Sequence, residues 1–377
     1  MLESDALRPL PDGTPFEMKA SRTPSFLRLY LEKKPVIEQH LAQFIADARQ
    51  GNLLPEDVAG AVDYGVMTLG GKRARPMLVH LAHNLVGGNF LQIDKAAIIP
   101  ELPHKGSLME DDVDDHALQR EGKPPAYRAF GETVNRQAYE FLYQSPALII
   151  NELSTDEAVK QRLLEEYVEY AKRAREGQQM ELDYSVEGLP MLDFVYGHMA
   201  MLKCAAFTYA VRVGAILGGA SEQQINVLTQ IADRSGVCFQ IQDDLQGINK
   251  NSQSYGEDIT EGHMNILTGT IQFILWKLRH PDGKRLYDIF RLHTTDRELI
   301  DEAVGIINKW TYFDITADLA DALSFPAYEG QRINRLQWSI DSFADGLTEM
   351  LHGAFPEETV ARRQMEELIG FCKTGSF

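Results

Sequence analysis

Two clusters of aspartates are the residues best suited to chemistry in this chain of 377 residues. The first cluster is Asp111-Asp112-Val113-Asp114-Asp115 and the second is Asp243-Asp244; each follows an apolar stretch with helical spacing. On a helix of 3.6 residues per turn, Asp111, Asp112 and Asp115 share one arc of about 100°, so their carboxylates converge. Converging carboxylates repel unless they are solvated at a surface or surround a hard divalent cation. Two such clusters in similar settings favour a metal site over a solvated surface.

The second cluster ends an apolar run and does not lie in a polar loop. This run, GVCFQIQ over residues 236–242, leads directly into Asp243 and Asp244. Helical bundles build metal and ligand sites from side chains that project inward from such helices. The pattern therefore predicts a helix that lines a cavity and presents its aspartates at the cavity mouth.

The rest of the chain predicts the helices that position these clusters. Apolar residues mostly recur at spacings of three and four, as in Val58, Val62 and Val66, whereas alternating strand patterns are hard to find. We therefore predict an all-α fold, with residues 25–377 as a single bundle around a central substrate cavity and residues 1–24 as a mobile N-terminal segment. The charged pattern of residues 156–179 predicts an exposed helix that runs into Gly177. The apolar composition of residues 199–217 predicts a buried helix.

Composition excludes several classes of protein. A formal net charge of −18 opposes binding to nucleic acids and to anionic membrane surfaces. Residues 199–220 are the most apolar region, but Lys203 and Arg212 interrupt it, so no membrane span is expected. The three cysteines are too few and too scattered for a disulfide framework, and the N-terminus lacks the pattern of a signal peptide. We therefore expect a cytoplasmic protein.

Lys203 lies inside an otherwise apolar helical stretch. A lysine in that setting must extend to the helix surface or find an anion, so a substrate phosphate would suit it. His80 and His83, three residues apart, have no third ligand nearby in the sequence and are interpreted as core or edge histidines. They are not included in the site.

An ordered set of motifs, over roughly residues 60–270, resembles the trans-isoprenyl diphosphate synthase (polyprenyl synthetase) family. Residues 70–76 (GGKRARP) resemble its first basic motif, residues 111–115 its first aspartate-rich motif DDxxD, and residues 239–244 (FQIQDD) its second. Residues 256–262 (GEDITEG) are similar to the segment that follows in eukaryotic geranylgeranyl diphosphate synthases. The other matches, in chain order, are Glu101, His104, Phe130-Gly131, Gly177-Gln178 and Lys203.

The resemblance implies a prenyltransferase that condenses an allylic prenyl diphosphate with isopentenyl diphosphate. A prenyl diphosphate carries about three negative charges, and breaking its allylic C–O bond leaves a diphosphate whose developing charge must be stabilised. Mg²⁺ prefers carboxylate, water and phosphate oxygens, so several Mg²⁺ ions held by the aspartates would suit this chemistry. The resemblance also implies a homodimer, with a hetero-oligomer as the alternative assembly.

The same resemblance assigns roles to individual residues. The metal ligands would be Asp111, Asp112, Asp115 and Asp243, and the catalytic set would add Asp244, Lys203 and Gln240. The allylic diphosphate would be bound by Arg120, Lys203 and Gln240, and isopentenyl diphosphate by Lys72, Arg75 and His104.

The chain departs from the family pattern at several positions. Glu121 stands where the family has the second of two arginines, which helps to bind isopentenyl diphosphate, so an anion replaces a cation. Tyr139 places a large ring where the family has a glycine. The remaining departures are Glu110 for histidine, Cys204 for threonine, Gly247 for aspartate and His263 for lysine.

Three hypotheses follow from these residues. The first is a chain-elongating synthase with a modified isopentenyl site. Its product would be C20 or longer, because Gly106 and Ser107 are small where short-chain enzymes carry an aromatic floor. Tyr139 could instead limit the depth of the cavity. The second is a class I terpene synthase of this lineage, favoured by Glu121 and opposed by Lys72, Arg75 and His104. The third is a noncatalytic or weakly active subunit of a hetero-oligomeric synthase.

Overall fold

The computed structural model describes residues 24–182, 202, 204–252, 254–262, 266–277, 279–310, 312–314, 332–334 and 344–374. The described residues form an α-helical fold, which confirms the all-α prediction. One short antiparallel pair departs from that class, with strand β1 at Tyr312–Asp314 and strand β2 at Arg332–Asn334. The predicted mobile segment, apart from Pro24, lies outside the described residues.

Among the described residues, eight helices lie before residue 183. They are α1 Ser25–Gln50, α2 Glu56–Asp63, α3 Ala74–Leu85, α4 Ile93–Ala97, α5 Glu101–Asp114, α6 Ala126–Phe130, α7 Glu132–Glu152 and α8 Glu157–Leu182. A π-helical turn, Tyr64–Thr68, follows α2 directly. The later helices are α9 Ala205–Leu217, α10 Glu222–Gly247, α11 Glu257–Glu261, α12 Ile266–Lys277, α13 Pro281–Phe290, α14 Arg297–Lys309, α15 Leu347–Ala354 and α16 Val360–Thr374.

Helix α9 lies at the centre of the core and packs against α3, α8 and α10. Every residue of α9 except Arg212 is buried, as expected for the described part of the predicted buried helix. Arg212 pairs with Glu166 of α8, with its Nε 2.5 Å from Oε2, so its charge is balanced. A side chain at Gly214 would collide with the carbonyl oxygen of Val79, so glycine permits the close approach of α9 to α3.

Helices α5 and α7 pack along each other. Helix α5 carries the first aspartate cluster at its C-terminal end, where Asp111 contacts α8. Helix α8 does not end at Gly177 but continues through that buried glycine to Leu182. An interior glycine costs a helix only about 1 kcal/mol relative to alanine, so tertiary packing can retain it. The continuation places Gln178 beside Asp111.

Helix α10 brings the second aspartate cluster to the other side of the site. Its N-terminus has a capping box, in which Ser221 accepts from the Gln224 amide and the Gln224 side chain accepts from the Ser221 amide. The two aspartates lie in its last turns, next to a smaller apolar cluster formed by α11 to α14. No helix of the described residues is long and apolar enough to span a membrane.

Candidate active site

The first aspartate cluster ends helix α5, and its carboxylates are held by donors from two directions. Asp111 Oδ1 accepts from Gln178 Nε2 of α8 over 2.9 Å. Asp112 Oδ1 accepts from Arg120 Nε over 2.6 Å, and the Asp112 side chain is almost fully buried. Burial raises the pKa of Asp112, whereas Arg120 lowers it. Asp115 follows as the C-cap of α5.

The second aspartate cluster presents one exposed and one buried carboxylate. Asp244 is buried, and its Oδ1 accepts from Gln240 Nε2, one helical turn earlier, over 2.8 Å. Asp243 is exposed and lies 3.7 Å from Lys72 Nζ. The Lys72 ammonium is also 5.6 Å from the centre of the Phe239 ring. The predicted isopentenyl-binding lysine therefore faces the second aspartate cluster directly.

Two glutamates of α11, which the sequence reasoning did not select, lie between the clusters. Burial raises the pKa of Glu257, Arg120 lowers it, and the nearby Asp112 and Asp243 raise it further. Burial also raises the pKa of Glu261 to about 9, with Asp115 the largest charge acting on it. The acidic composition of residues 257–261, so close after the second cluster, was a signal that could have identified them.

The loop that carries Lys72 has an unusual backbone. Gly70 and Gly71 have φ of +65° and +146°, and Arg73 has φ of +53°. Arg73 is buried and fastens this loop, because Nη1 donates to Glu101 of α5 over 3.0 Å and Nε to Glu38 of α1 over 2.9 Å. Since charge-assisted pairs of this kind hold a defined geometry, the loop is fixed to two helices.

Arg75 and His104 lie behind this loop. The Arg75 guanidinium lies 4.8 Å from the centre of the Phe207 ring, and its Nε is buried without a hydrogen-bond partner among the described residues. Burial lowers the pKa of Arg75. Burial also holds the pKa of His104 well below its usual value, and Arg75 and other nearby cations act in the same direction. The positive groups around His104, Arg75 among them, would favour the binding of an anion there.

Three of the four predicted metal ligands, Asp111, Asp112 and Asp243, face a nitrogen donor. In the part of the chain that the structure describes, no three acidic, histidine or cysteine side chains converge closely enough to form a metal site. However, Asp112 Oδ2 is buried without a hydrogen-bond partner there. A buried carboxylate oxygen without a partner fits a hard cation. Lys203, predicted to bind the allylic diphosphate, and His263 lie outside the described residues.

Glu110, a departure from the family pattern, and Gly106, a small residue that bears on chain length, both lie on α5 before the first cluster. Glu110 accepts from Tyr143 Oη over 2.5 Å and pairs with Arg175 of α8 over 3.2 Å. A Cβ on Gly106 would lie 3.2 Å from Leu142 Cβ and 3.4 Å from the Tyr143 ring. The small residue at 106 therefore permits close packing of α5 against α7, and the aromatic side chains beside it come from α7.

Histidines 80 and 83 are buried in α3, away from the aspartates. His80 Nε2 lies 3.2 Å from Asp94 Oδ1, and His83 Nε2 accepts from the Phe90 amide over 3.1 Å. Burial lowers the pKa of His80 to about 4. Both behave as core histidines, as the sequence predicts.

Comparison with known proteins gives consistent matches. The family model for polyprenyl synthetases matches residues 56–307. A short chain isoprenyl diphosphate synthase of Methanothermobacter thermautotrophicus is 29% identical over 289 residues, which cover 75% of this chain and 84% of that protein.

Solved structures of low sequence identity share the fold. A polyprenyl synthase from Caulobacter crescentus, complexed with calcium and isoprenyl diphosphate, superposes with a TM-score of 0.73 at 19% identity and covers 93% of this chain and 97% of that chain. A geranylgeranyl pyrophosphate synthase from Corynebacterium glutamicum, complexed with isoprenyl diphosphate and magnesium, has a TM-score of 0.72 at 18% identity, with coverage of 91% and 98%. Both structures have the all-α architecture described above.

Proposed function

This chain belongs to the polyprenyl synthetase family and is therefore a prenyl-transferring enzyme; we propose that it condenses an allylic prenyl diphosphate with isopentenyl diphosphate. The observation that carries the proposal is the 3.7 Å approach of Lys72 to Asp243. This contact brings the basic loop, which would bind isopentenyl diphosphate, next to the acidic clusters. The acidic clusters would bind the cations that accompany the allylic diphosphate. Two anionic substrates can then be held side by side.

The carboxylates of Asp111, Asp112, Asp115 and Asp243 are proposed to hold Mg²⁺, with Asp244 supporting Asp243 from within α10. When bound, Mg²⁺ supplies positive charge to a diphosphate leaving group. Arg120 and Gln178 are already within hydrogen-bond distance of the first cluster and would exchange a carboxylate oxygen for a phosphate oxygen. Gln240 and Lys203 would bind the same allylic diphosphate.

The reaction follows from this placement of charge. The allylic C–O bond breaks, and its electron pair leaves with the diphosphate that the surrounding cations stabilise. The alkene of isopentenyl diphosphate, held by Lys72, Arg75 and His104, then attacks the allylic cation and forms the new C–C bond. The released diphosphate accepts a proton from the resulting cation, and a double bond forms in a longer allylic diphosphate.

A C20 product is proposed. Relatives named geranylgeranyl diphosphate synthases, such as that of Methanosarcina mazei at 27% identity, support this length. The Tyr143 ring lies beside Gly106, and the Tyr139 ring meets it edge to face at 6.0 Å. An aromatic floor supplied by α7 would stop growth near C20, although residues 106 and 107 are small.

A homodimer in the cytoplasm is also proposed. The family resemblance supports the dimer. The three cysteines are buried and form no disulfide among the described residues, which fits a reducing compartment.

The test incubates purified protein and Mg²⁺ with dimethylallyl, geranyl, farnesyl or geranylgeranyl diphosphate, each with and without isopentenyl diphosphate, followed by mass spectrometry. We expect longer diphosphates, ending at C20, only when isopentenyl diphosphate is present. Asp243→Asn should lower kcat roughly 100-fold or more. Hydrocarbons or alcohols formed from a single allylic substrate would identify a terpene synthase instead. Turnover only after addition of a second subunit would identify a hetero-oligomer.

A further inference from the structure

The basic groups near the Lys72 loop differ in how their charge is balanced. Arg73 has the carboxylates of Glu38 and Glu101, and Arg120 has that of Asp112. Lys105, by contrast, has no carboxylate within 4.0 Å among the described residues, and the hydrogen bond that its ammonium makes there goes to a backbone carbonyl, that of Gly70. A buried ammonium with this environment keeps an unmet requirement for an anion.

Lys105 is well placed to reach a substrate. It lies on α5 directly after His104, is 7% exposed, and extends its Nζ to the two-glycine loop. A Cβ on Gly71 would lie 3.1 Å from that Nζ, so the absence of a side chain at 71 lets the ammonium approach the backbone next to Lys72. The same ammonium therefore borders the surface formed by Lys72 and His104.

Glu121 lies at a turn, away from this buried position. The backbones of Arg120 and Lys123 pair with each other, and Glu121 and Gly122 form the tip with φ of +51° and +71°. Glu121 is exposed, and its charge raises the pKa of Glu257. Position 121, where the family resemblance implies an arginine, therefore places a negative charge near Glu257.

Resting on the proposed function, we propose that Lys105 binds the diphosphate of the homoallylic substrate and supplies, from inside α5, the positive charge that position 121 lacks. Its ammonium exchanges the Gly70 carbonyl for a phosphate oxygen, which changes a neutral acceptor into a charged one. Lys72, Arg75 and His104 contact the same diphosphate from the other sides. Isopentenyl binding thus depends on a lysine next to His104 and not on a second arginine after Arg120.

The experiment measures the Kd of isopentenyl diphosphate by titration calorimetry for the wild type, Lys105→Gln and Lys105→Met. Glutamine keeps a donor for the Gly70 carbonyl but loses the charge, so a role limited to anchoring the loop would leave its Kd unchanged. We expect both variants to bind roughly 10- to 100-fold more weakly. Steady-state kinetics should show the same rise in KM for isopentenyl diphosphate, with KM for the allylic substrate within twofold of wild type.

A matched control removes a distant positive charge. Lys95→Gln, on α4, loses a partly exposed lysine that pairs with Glu152 over 2.7 Å, and its Kd should stay within twofold of wild type. A wild-type Kd in Lys105→Gln would overturn the proposal. Equal increases of KM for both substrates would also overturn it, since they would indicate general damage. A wild type that binds no isopentenyl diphosphate would overturn the proposed function itself.

The pH dependence provides a second readout. Burial and nearby cations lower the pKa of Lys105 to about 8, whereas Glu101 raises it. Deprotonation removes the proposed charge, so KM for isopentenyl diphosphate should rise above about pH 8 in the wild type and change much less in Lys105→Gln. Parallel profiles would contradict the assignment. The charged or titratable groups that face Lys105 are Arg73, Arg75, Glu101, His104, Asp112 and Arg120.

Discussion

The carboxylate of Asp258 occupies the space beside Gly247 at the end of α10: a Cβ built on Gly247 would lie 2.7 Å from Asp258 Oδ2. In the family pattern, residue 247 is the third aspartate of the second cluster. Here a carboxylate from α11 lies in that region instead. The missing aspartate at position 247 is therefore accompanied by the carboxylate of Asp258, which comes from the neighbouring helix α11.

We predict that Gly247→Asp destabilises the protein. The new side chain would overlap Asp258 and add a second negative charge beside it, which should cost about 1–3 kcal/mol. In the double variant Gly247→Asp/Asp258→Gly the loss should be largely recovered, because the carboxylate has only moved from α11 to α10. Urea unfolding of both single variants and the double variant measures this coupling. Losses that simply add would show that the two positions do not compete for the same space.

The ion pair of Arg120 and Asp112 gives a second prediction. Asp112 is buried, so Arg120→Gln leaves its carboxylate without a charged partner and should lower the free energy of unfolding by about 1–3 kcal/mol. Adding Asp112→Asn should restore part of this stability, although activity stays low in every variant. A double-mutant cycle by chemical denaturation tests this. A coupling energy near zero would contradict a structural contribution from the pair.

Chain length gives a third prediction, at the floor formed by α7. Tyr139→Ala should yield products longer than C20, because it removes the ring that packs against Tyr143, whose own ring lies beside Gly106. Tyr143→Phe is the matched control: it keeps the second ring and loses only the bond to Glu110, so product length should not change. Product distributions are read by mass spectrometry. An unchanged distribution in Tyr139→Ala would place the floor elsewhere.

The sequence predicted much of this arrangement because helical periodicity and ordered motifs are local properties. Asp111 and Asp112 lie at the end of one helix and Asp243 and Asp244 at the end of another, as the apolar runs before them indicate. The buried helix α9 was likewise predicted from its composition. In each case the pattern within one segment was sufficient.

Other features depend on neighbours that no local pattern identifies. Gly106 was interpreted as leaving space for a long chain, but Leu142 and Tyr143 of α7 already occupy the space beside it. Lys105 lies between His104 and Gly106 without a local pattern that marks it, and only the contact with Gly70 shows where its ammonium lies. Contacts between residues 35 positions apart follow from packing, which sequence spacing does not specify.

Burial of Lys105 gives a final prediction, on stability. Its pKa in the folded protein is about 8, against 10.5 as the ordinary value. Between these two values the unfolded chain binds more protons than the folded one, so stability from this group rises with pH; below pH 8 both states are charged and the full cost of burial remains. The free energy of unfolding of the wild type relative to Lys105→Met should therefore increase by about 1 kcal/mol per pH unit over that window. Urea unfolding of both proteins at pH 7.5, 8.5 and 9.5, values chosen to bracket about pH 8, measures the difference. Because every other titrating group is common to both, a constant difference across the series would mean that the Lys105 ammonium is not desolvated.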